Sequence, residues 1–305
     1  MRVSILDQVP LTEHTPTRSD AVAAGLRLAQ EAEALGYHRI WFAEHHHSAS
    51  FASPAPEMMT ALALERTARI RVGTGGILLP LYPVQKVIEV MGLLGQAHGD
   101  RVDTGIGRAN LDDPDYGEKI DALTRELGTL HQPVPGEPTG RVWVLGAGGS
   151  TAPLAGSTGA GYAHGHFFVP RGGETATAAY RDAATAAGHQ SQTVLAVRAI
   201  TAETAERAQG LADSMLLWRA RKDLGHDGPI PSVETTQSYV WSDQERTRAK
   251  ARSQAIITGT PDQVAETIAH LAHTHGADEV MINTLTSDPD DRHTSYQLLA
   301  ERLIT

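Results

Sequence analysis

The stretch "RVSILDQVPLTEHTPTRSDAVAAGLRLAQEAEALGYHRIWFAEHHH", residues 2–47, carries three patterns in succession. "RVSILD" (2–7) is a short run rich in β-branched residues, the signature of a strand. Val22, Leu26, Ala29, Ala32 and Leu35 then recur at helical spacing, and Gly36 stands where a helix C-cap belongs. "RIWFA" (39–43) is a second apolar run, and it ends on a glutamate and three consecutive histidines, Glu44 to His47. Strand, helix, strand is the unit that joins two parallel strands, because parallel neighbours need a crossover.

The alternation continues to the end of the chain. Helical patterns cover 56–68, 83–99, 116–130, 151–159, 173–188, 202–224 and 260–276, with a helical tail. Strand-like runs cover 69–77, 101–107, 142–149, 162–169, 193–201 and 277–285, which with the first two makes eight. Eight strands separated by helices predict an α/β protein of the (β/α)₈ TIM-barrel type, with an open doubly wound sheet as the rival. The proline-rich "HQPVPGEPTG" (131–140) reads as a loop within one domain spanning 1–305, and the polar segment 225–257 suggests no element.

Composition narrows the function. The 305 residues are 41% hydrophobic and 20% charged, ordinary for a globular protein. There is no cysteine, which excludes disulfides, thiolate metal sites and cysteine nucleophiles. The net charge of −10, without a basic cluster, argues against nucleic acid or an anionic membrane as partner. No run reaches the roughly 18 apolar residues of a membrane span. The N-terminal apolar run breaks at Asp7, too early for a signal peptide, so a cytoplasmic location is expected.

Active sites of such barrels lie at the C-terminal ends of the strands. The candidates are therefore Asp7, the Glu44–His47 run, Gly75-Gly76, Arg108, the turn from Gly146 to Thr151, and His164 with His166. Adjacent residues on an extended segment face opposite sides, so three histidines in a row cannot share one metal ion. A solvated loop remains open for them, as does one histidine, His45 foremost, facing the mouth as a proton-transfer group. Gly75-Gly76 is either a tight turn or a place where a flat ligand meets bare backbone. "GAGGST" (146–151) is neither a Walker motif nor G-x-G-x-x-G, yet its amides open a helix and suit an anion. Arg108 either pairs with Asp112 or Asp113 or joins that turn in holding a phosphate.

"GYHRIWFAEHHH", "RIRVGTGGILLP", "DRVDTGIGRAN" and "VWVLGAGGSTAPLA", in this order, resemble the bacterial luciferase-like flavin-dependent monooxygenases, and more closely their compact single-chain members. The resemblance implies a barrel that takes reduced FMN from a separate flavin reductase and uses O₂ to hydroxylate, epoxidise or Baeyer–Villiger oxidise a small to medium apolar organic molecule. Some such enzymes tailor secondary metabolites. It makes His45 the catalytic histidine, governing one proton at the oxygen-donating group. It places Glu44, Gly75, Gly76, Arg108, Ala147, Gly148, Gly149, Ser150 and Thr151 in cofactor binding, with no metal. It also implies a homodimer, for which the apolar face of "VIEVMGLLGQA" would serve. Ala147 and Gly148 stand where luciferase has Glu and Ser, so phosphate binding must lean on amides and Thr151. Gly107 replaces a reactive cysteine, and a long mobile lid and light emission are not expected. The alternatives are an F420-dependent oxidoreductase on the same barrel, a non-catalytic flavin-binding protein, and a metal-dependent barrel hydrolase.

Overall fold

A computed structural model describes residues 1–109, 111–130, 138 and 141–304. Apart from Pro138, the expected loop 131–140 lies outside the described residues. The strands are β1 (Arg2–Asp7), β2 (Arg39–Phe42), β3 (Arg71–Thr74), β4 (Ile77–Leu78), β5 (Val102–Gly107), β6 (Val142–Gly146), β7 (Gly161–Gly165), β8 (Thr193–Thr201), β9 (Ile256–Gly259) and β10 (Glu279–Asn283). The helices are α1 (Arg18–Ala34), α2 (Pro56–Leu64), α3 (Val84–His98), α4 (Tyr116–Leu130), α5 (Thr151–Ser157), α6 (Gly173–Ala186), α7 (Ala205–Asp223), α8 (Val233–Ser238), α9 (Asp243–Ser253), α10 (Pro261–His275) and α11 (Pro289–Leu303).

All pairings between these strands are parallel. The order β1-β2-β3-β5-β6-β7-β8-β10 returns to β1, because β10 pairs both with β8 and with β1. Eight parallel strands thus close into the expected (β/α)₈ barrel. Two differences from the sequence reading bear on the site. The run 69–77 is two strands, β3 and β4, broken at Gly75-Gly76 by a cis peptide bond. The segment 225–257 builds α8, α9 and the start of β9, a strand that pairs with the upper half of β8 from Arg198 to Thr201.

The interior follows from period two along each strand. Leu6, Trp41, Ala43, Trp143, Ala163, Val194, Ala196 and Met281 form one buried apolar cluster inside the barrel. Below them the floor is ionic. Arg39 of β2 is fully buried and pairs with Asp103 of β5 at 2.9 Å and with Glu279 of β10 at 2.9 Å. Its guanidinium lies 4.8 Å from the centroid of the Trp143 ring. Trp41 Nε1 and Arg71 also donate to Asp103, and Ser4 donates to Glu279. Burial opposes ionisation of Asp103, but Arg39 and Arg71 outweigh it and hold the carboxyl far below its usual range.

Removing one partner from a buried pair leaves an uncompensated charge. Arg39→Met should therefore lower the unfolding free energy by about 3–5 kcal/mol, read from urea denaturation. A loss comparable to that of an exposed pair, below about 1 kcal/mol, would show that the floor does not depend on Arg39.

Candidate active site

The three histidines beyond β2 part company. His46 Nε2 lies 2.5 Å from Glu44 Oε1, and His47 is exposed with φ of +50°. His45 turns inward, and its ring covers that of Phe51 with centroids 4.1 Å apart and planes 30° apart. Glu44, buried at 5% exposure, also accepts from Tyr82 Oη at 2.6 Å and from the Leu78 amide at 2.8 Å. Both its oxygens meet protein donors, so Glu44 clamps β4 and His46 to the end of β2.

A polar chain fixes the tautomer of His45. Asn283 Nδ2 donates to the Leu6 carbonyl at 2.9 Å, and Arg198 Nε donates to Asn283 Oδ1 at 2.9 Å. Arg198 Nη2 meets Gln8 at 3.0 Å, and because a guanidinium only donates, the atom it meets is the amide oxygen. Gln8 thus presents its Nε2 to His45 Nε2 at 3.3 Å, and that ring nitrogen accepts. The neutral ring carries its proton on Nδ1, which is buried and has no partner among the described residues. Burial, followed by the nearby Lys222 charge, holds the His45 pKa down to about 4. His45 is therefore a neutral imidazole at neutral pH, with one orphaned N–H donor.

The loop over this histidine is tied to α7. Trp218 Nε1 donates to Ser50 Oγ at 2.9 Å, and Lys222 reaches Asp227 at 2.5 Å. Asp227 in turn accepts from the Ala49 amide at 3.0 Å.

At Gly75-Gly76 the reason for glycine lies inside the protein. A Cβ on Gly75 would stand 2.7 Å from Leu6 Cδ1 and 2.8 Å from Trp41 Cβ. A Cβ on Gly76 would stand 2.8 Å from the Gly105 carbonyl oxygen. The barrel's own atoms exclude side chains here.

Arg108 makes no ion pair among the described residues, and Asp113 pairs instead with Lys119 at 2.9 Å. Arg108 Nη2 donates to Ser150 Oγ at 3.4 Å, and its guanidinium lies 5.9 Å from the centroid of the Tyr116 ring. Ser150 opens α5 without a side-chain cap, so its hydroxyl is available to the arginine and the helix's first amides lack a capping side chain. Ala147 and Gly148 complete the turn. Gly149 has φ of +49°, and a Cβ on Gly148 or Gly149 would meet nothing within 4 Å. Thr151 is buried against Gly146, where an added Cβ would lie 3.1 Å from its Cβ and Cγ2. The exposed hydroxyl beside Arg108 is therefore that of Ser150, not Thr151. Open space, uncapped amides, a hydroxyl and a guanidinium without a carboxylate partner fit a phosphate group.

Three other candidates belong elsewhere. Asp7 accepts from the Val9 amide at 2.9 Å and pairs with Arg292 of α11 at 3.2 Å, on the outer face of the sheet. His164 also points outward: its Nδ1 lies 3.3 Å from Tyr162 Oη, and its ring centroid is 6.0 Å from that of His275 in α10. His166 stands 5.9 Å from His275 in the same layer. Burial holds His164 down to about 4 and lowers His166 as well. Among the described residues no group of three or more His, Asp or Glu is arranged to hold a metal ion. Reading the sequence missed Gln8, Arg198 and Asn283. An arginine inside the apolar run "TVLAVRAIT" was the available signal, because a charge in a central strand needs a polar neighbour.

The model of the luciferase-like monooxygenase family matches residues 1–118 and 112–279. The chain belongs to that family, and the family supports an enzyme. The protein YwcH of Bacillus subtilis is 32% identical over 98% of both chains. The N-acetyl-S-alkylcysteine monooxygenase of Bacillus subtilis is 28% identical, over 100% of this chain and 98% of its own. The crystal structure of apo-MsnO8 superposes with a TM-score of 0.82 at 31% identity, covering 99% of this chain and 98% of that one. Two more distant structures share the fold. One is the FMN-bound oxygenating constituent of 3,6-diketocamphane monooxygenase from Pseudomonas putida, with a TM-score of 0.71 at 17% identity over 99% and 98% of the two chains. The other is an F420-dependent secondary alcohol dehydrogenase, with a TM-score of 0.69 at 12% identity over 100% and 99%.

With its pKa pushed down, His45 should show no titration across the physiological range. In spectra of histidine-labelled protein its ring resonance should stay flat from about pH 5.5 to 8 and move only near pH 4 to 5. An inflection near 6.5, the value of an unperturbed imidazole, would contradict the buried, neutral ring.

Proposed function

We propose that the protein is a monooxygenase that binds reduced FMN across the barrel mouth and uses O₂ to oxygenate a small to medium organic substrate. A separate flavin reductase supplies the FMNH₂. The observation that carries this reading is the Arg108–Ser150 bond over an uncapped turn, on the same strand-end rim as His45. Arg108, Ser150 and the amides of Ala147 to Thr151 hold the phosphate, and the Gly75-Gly76 segment backs the ring system. When bound, the reduced flavin supplies the electrons that activate oxygen. The protein's own part is to orient the substrate, exclude water and hold a proton. His45, neutral and protonated on a buried Nδ1, is not an imidazolium acid at neutral pH. Phe51, Trp218 and the tied 48–51 loop keep water from it.

An F420-dependent oxidoreductase on this barrel is the competing reading, and cofactor binding separates the two. Charge-assisted hydrogen bonds are worth about 1.5–3 kcal/mol. Arg108→Gln should therefore weaken FMN binding roughly ten- to hundredfold while leaving riboflavin, which lacks the phosphate, unchanged. Equal losses for both flavins, or no FMN binding by the unaltered protein, would defeat the assignment.

We also infer a homodimer built on α2 and α3. Met58 and Leu62, one turn apart on α2, are exposed, as are Leu81 and Leu93, the last at 66%. Buried Val87, Ile88 and Met91 show that the opposite face of α3 already packs on the barrel. Sedimentation velocity should find a dimer in the unaltered protein and a monomer in Leu93→Glu. A monomeric unaltered protein would remove the dimer.

A further inference from the structure

The wall of the mouth formed by β8 contains a charge that the reaction does not explain. Arg198 is 7% exposed, and among the described residues its hydrogen bonds go to two neutral amides, those of Asn283 and Gln8. No carboxylate pairs with it among the described residues. Its guanidinium lies 4.7 Å from the centroid of the Phe167 ring. It opens onto a narrow cleft lined by Phe167, Phe168, Met215, Arg219 and Arg252 as well. Arg219 and Arg252 share a single acid, Asp223, at 2.8 and 2.6 Å. Three guanidinium groups and one carboxylate leave a local charge of +2, in a chain whose formal net charge is −10.

Buried cations are normally paired, and an unpaired one is costly. Burial, then the Arg219 and Arg252 charges, pull Arg198 down to about 9, so it remains charged at neutral pH. The amides of Asn283 and Gln8 orient the guanidinium without neutralising it. The place in the barrel separates this charge from the flavin contacts. In the closed order β1-β2-β3-β5-β6-β7-β8-β10, β8 stands four strands from β3, which makes the two diametrically opposed. Gly75 follows β3, while Arg108 and Ser150 follow β5 and β6. The charge therefore faces the Gly75-Gly76 segment across the mouth, lies three and two strands from the phosphate contacts after β5 and β6, and through Gln8 is one residue removed from His45.

We propose that Arg198, supported by Arg219 and Arg252, is a substrate anchor, and that the molecule oxygenated here is an apolar compound bearing a carboxylate. The carboxylate would take a bidentate bond from the guanidinium. The cleft, about 20 Å³, has room for that head group only, and the exposed ring of Phe168 at its edge would meet the hydrocarbon part outside it. The assignment rests on reading the mouth as the oxygenation site, but it can be tested without flavin.

Octanoate and its neutral isostere octanamide serve as probes, titrated calorimetrically into the full chain. The unaltered protein should bind octanoate at least about tenfold more tightly than octanamide. Arg198→Gln should bring the ratio to about one by weakening octanoate alone, whereas a purely structural role would weaken both alike. Because Arg198 is buried and its loss could unfold the chain, Arg252→Gln, at a half-exposed position, provides a second test. It should lower the ratio about threefold with the melting temperature unchanged. Equal binding of the two probes by the unaltered protein, or ratios unchanged in the variants, would overturn the proposal. So would a loss of FMN affinity in Arg198→Gln with the probe ratio intact, which would give the charge to the flavin. A protein that keeps the ratio but binds no FMN would support the anchor while removing the flavin reading.

Discussion

Arg39 is the constraint on which the barrel turns. One guanidinium, wholly removed from water, joins β2 to β5 through Asp103 and to β10 through Glu279. Each partner strand lies two places from β2 around the closed sheet, so the pairings cross the floor and lock the relative heights of strands that share no backbone bonds. A slip of one residue in any of them would send its inward set outward. It would also leave a bare charge at the centre. Trp41 and Trp143 sit on this ionic layer and fill the middle of the barrel. The rim above is thereby held at a fixed height on all sides.

The rim reuses the same device with a different sign of satisfaction. On the floor, charges meet charges. At the mouth, Arg198 meets only amides, and the chain from Leu6 through Asn283, Arg198 and Gln8 ends on a neutral histidine. The charges of the floor are balanced, and the mouth is left with groups that lack a partner of opposite charge or a cap: the Arg198 charge and the amides before α5. Functional sites commonly keep such groups incomplete, because a ligand is what completes them.

The fold was legible in the sequence because strands buried on both faces read as unbroken apolar runs between helical stretches. The segment 225–257 was not. Helix α9, "DQERTRAKARS", buries only Glu245 and Ala249, so it shows no apolar stripe. Its capping box, Ser242 with Glu245, was visible but had no periodicity to support it. Strand ends were overrun at 142–149 and 162–169, since a glycine turn and the His166–Val169 turn follow without a change of composition. The places of His45 and Arg108 just beyond β2 and β5 are readable from the sequence. His164 was misplaced because the alternation that sends Ala163 inward sends its neighbour out. Gln8 follows β1, while Arg198 lies in β8 and Asn283 in β10, and only closure of the barrel brings these distant positions together.

The glycines between β3 and β5 carry a further meaning. A Cβ on Gly105 would lie 2.0 Å from the Thr74 carbonyl oxygen, and one on Gly73 would lie 2.4 Å from that of Asp103. Together with Gly76 they let two backbones approach more closely than any alanine would permit. Invariance at these three positions among relatives would report the joint between neighbouring strands, and would say nothing about which cofactor a relative prefers. Kinship in cofactor use has to be sought at the turn before α5 and along β8, where the same architecture leaves room for choice.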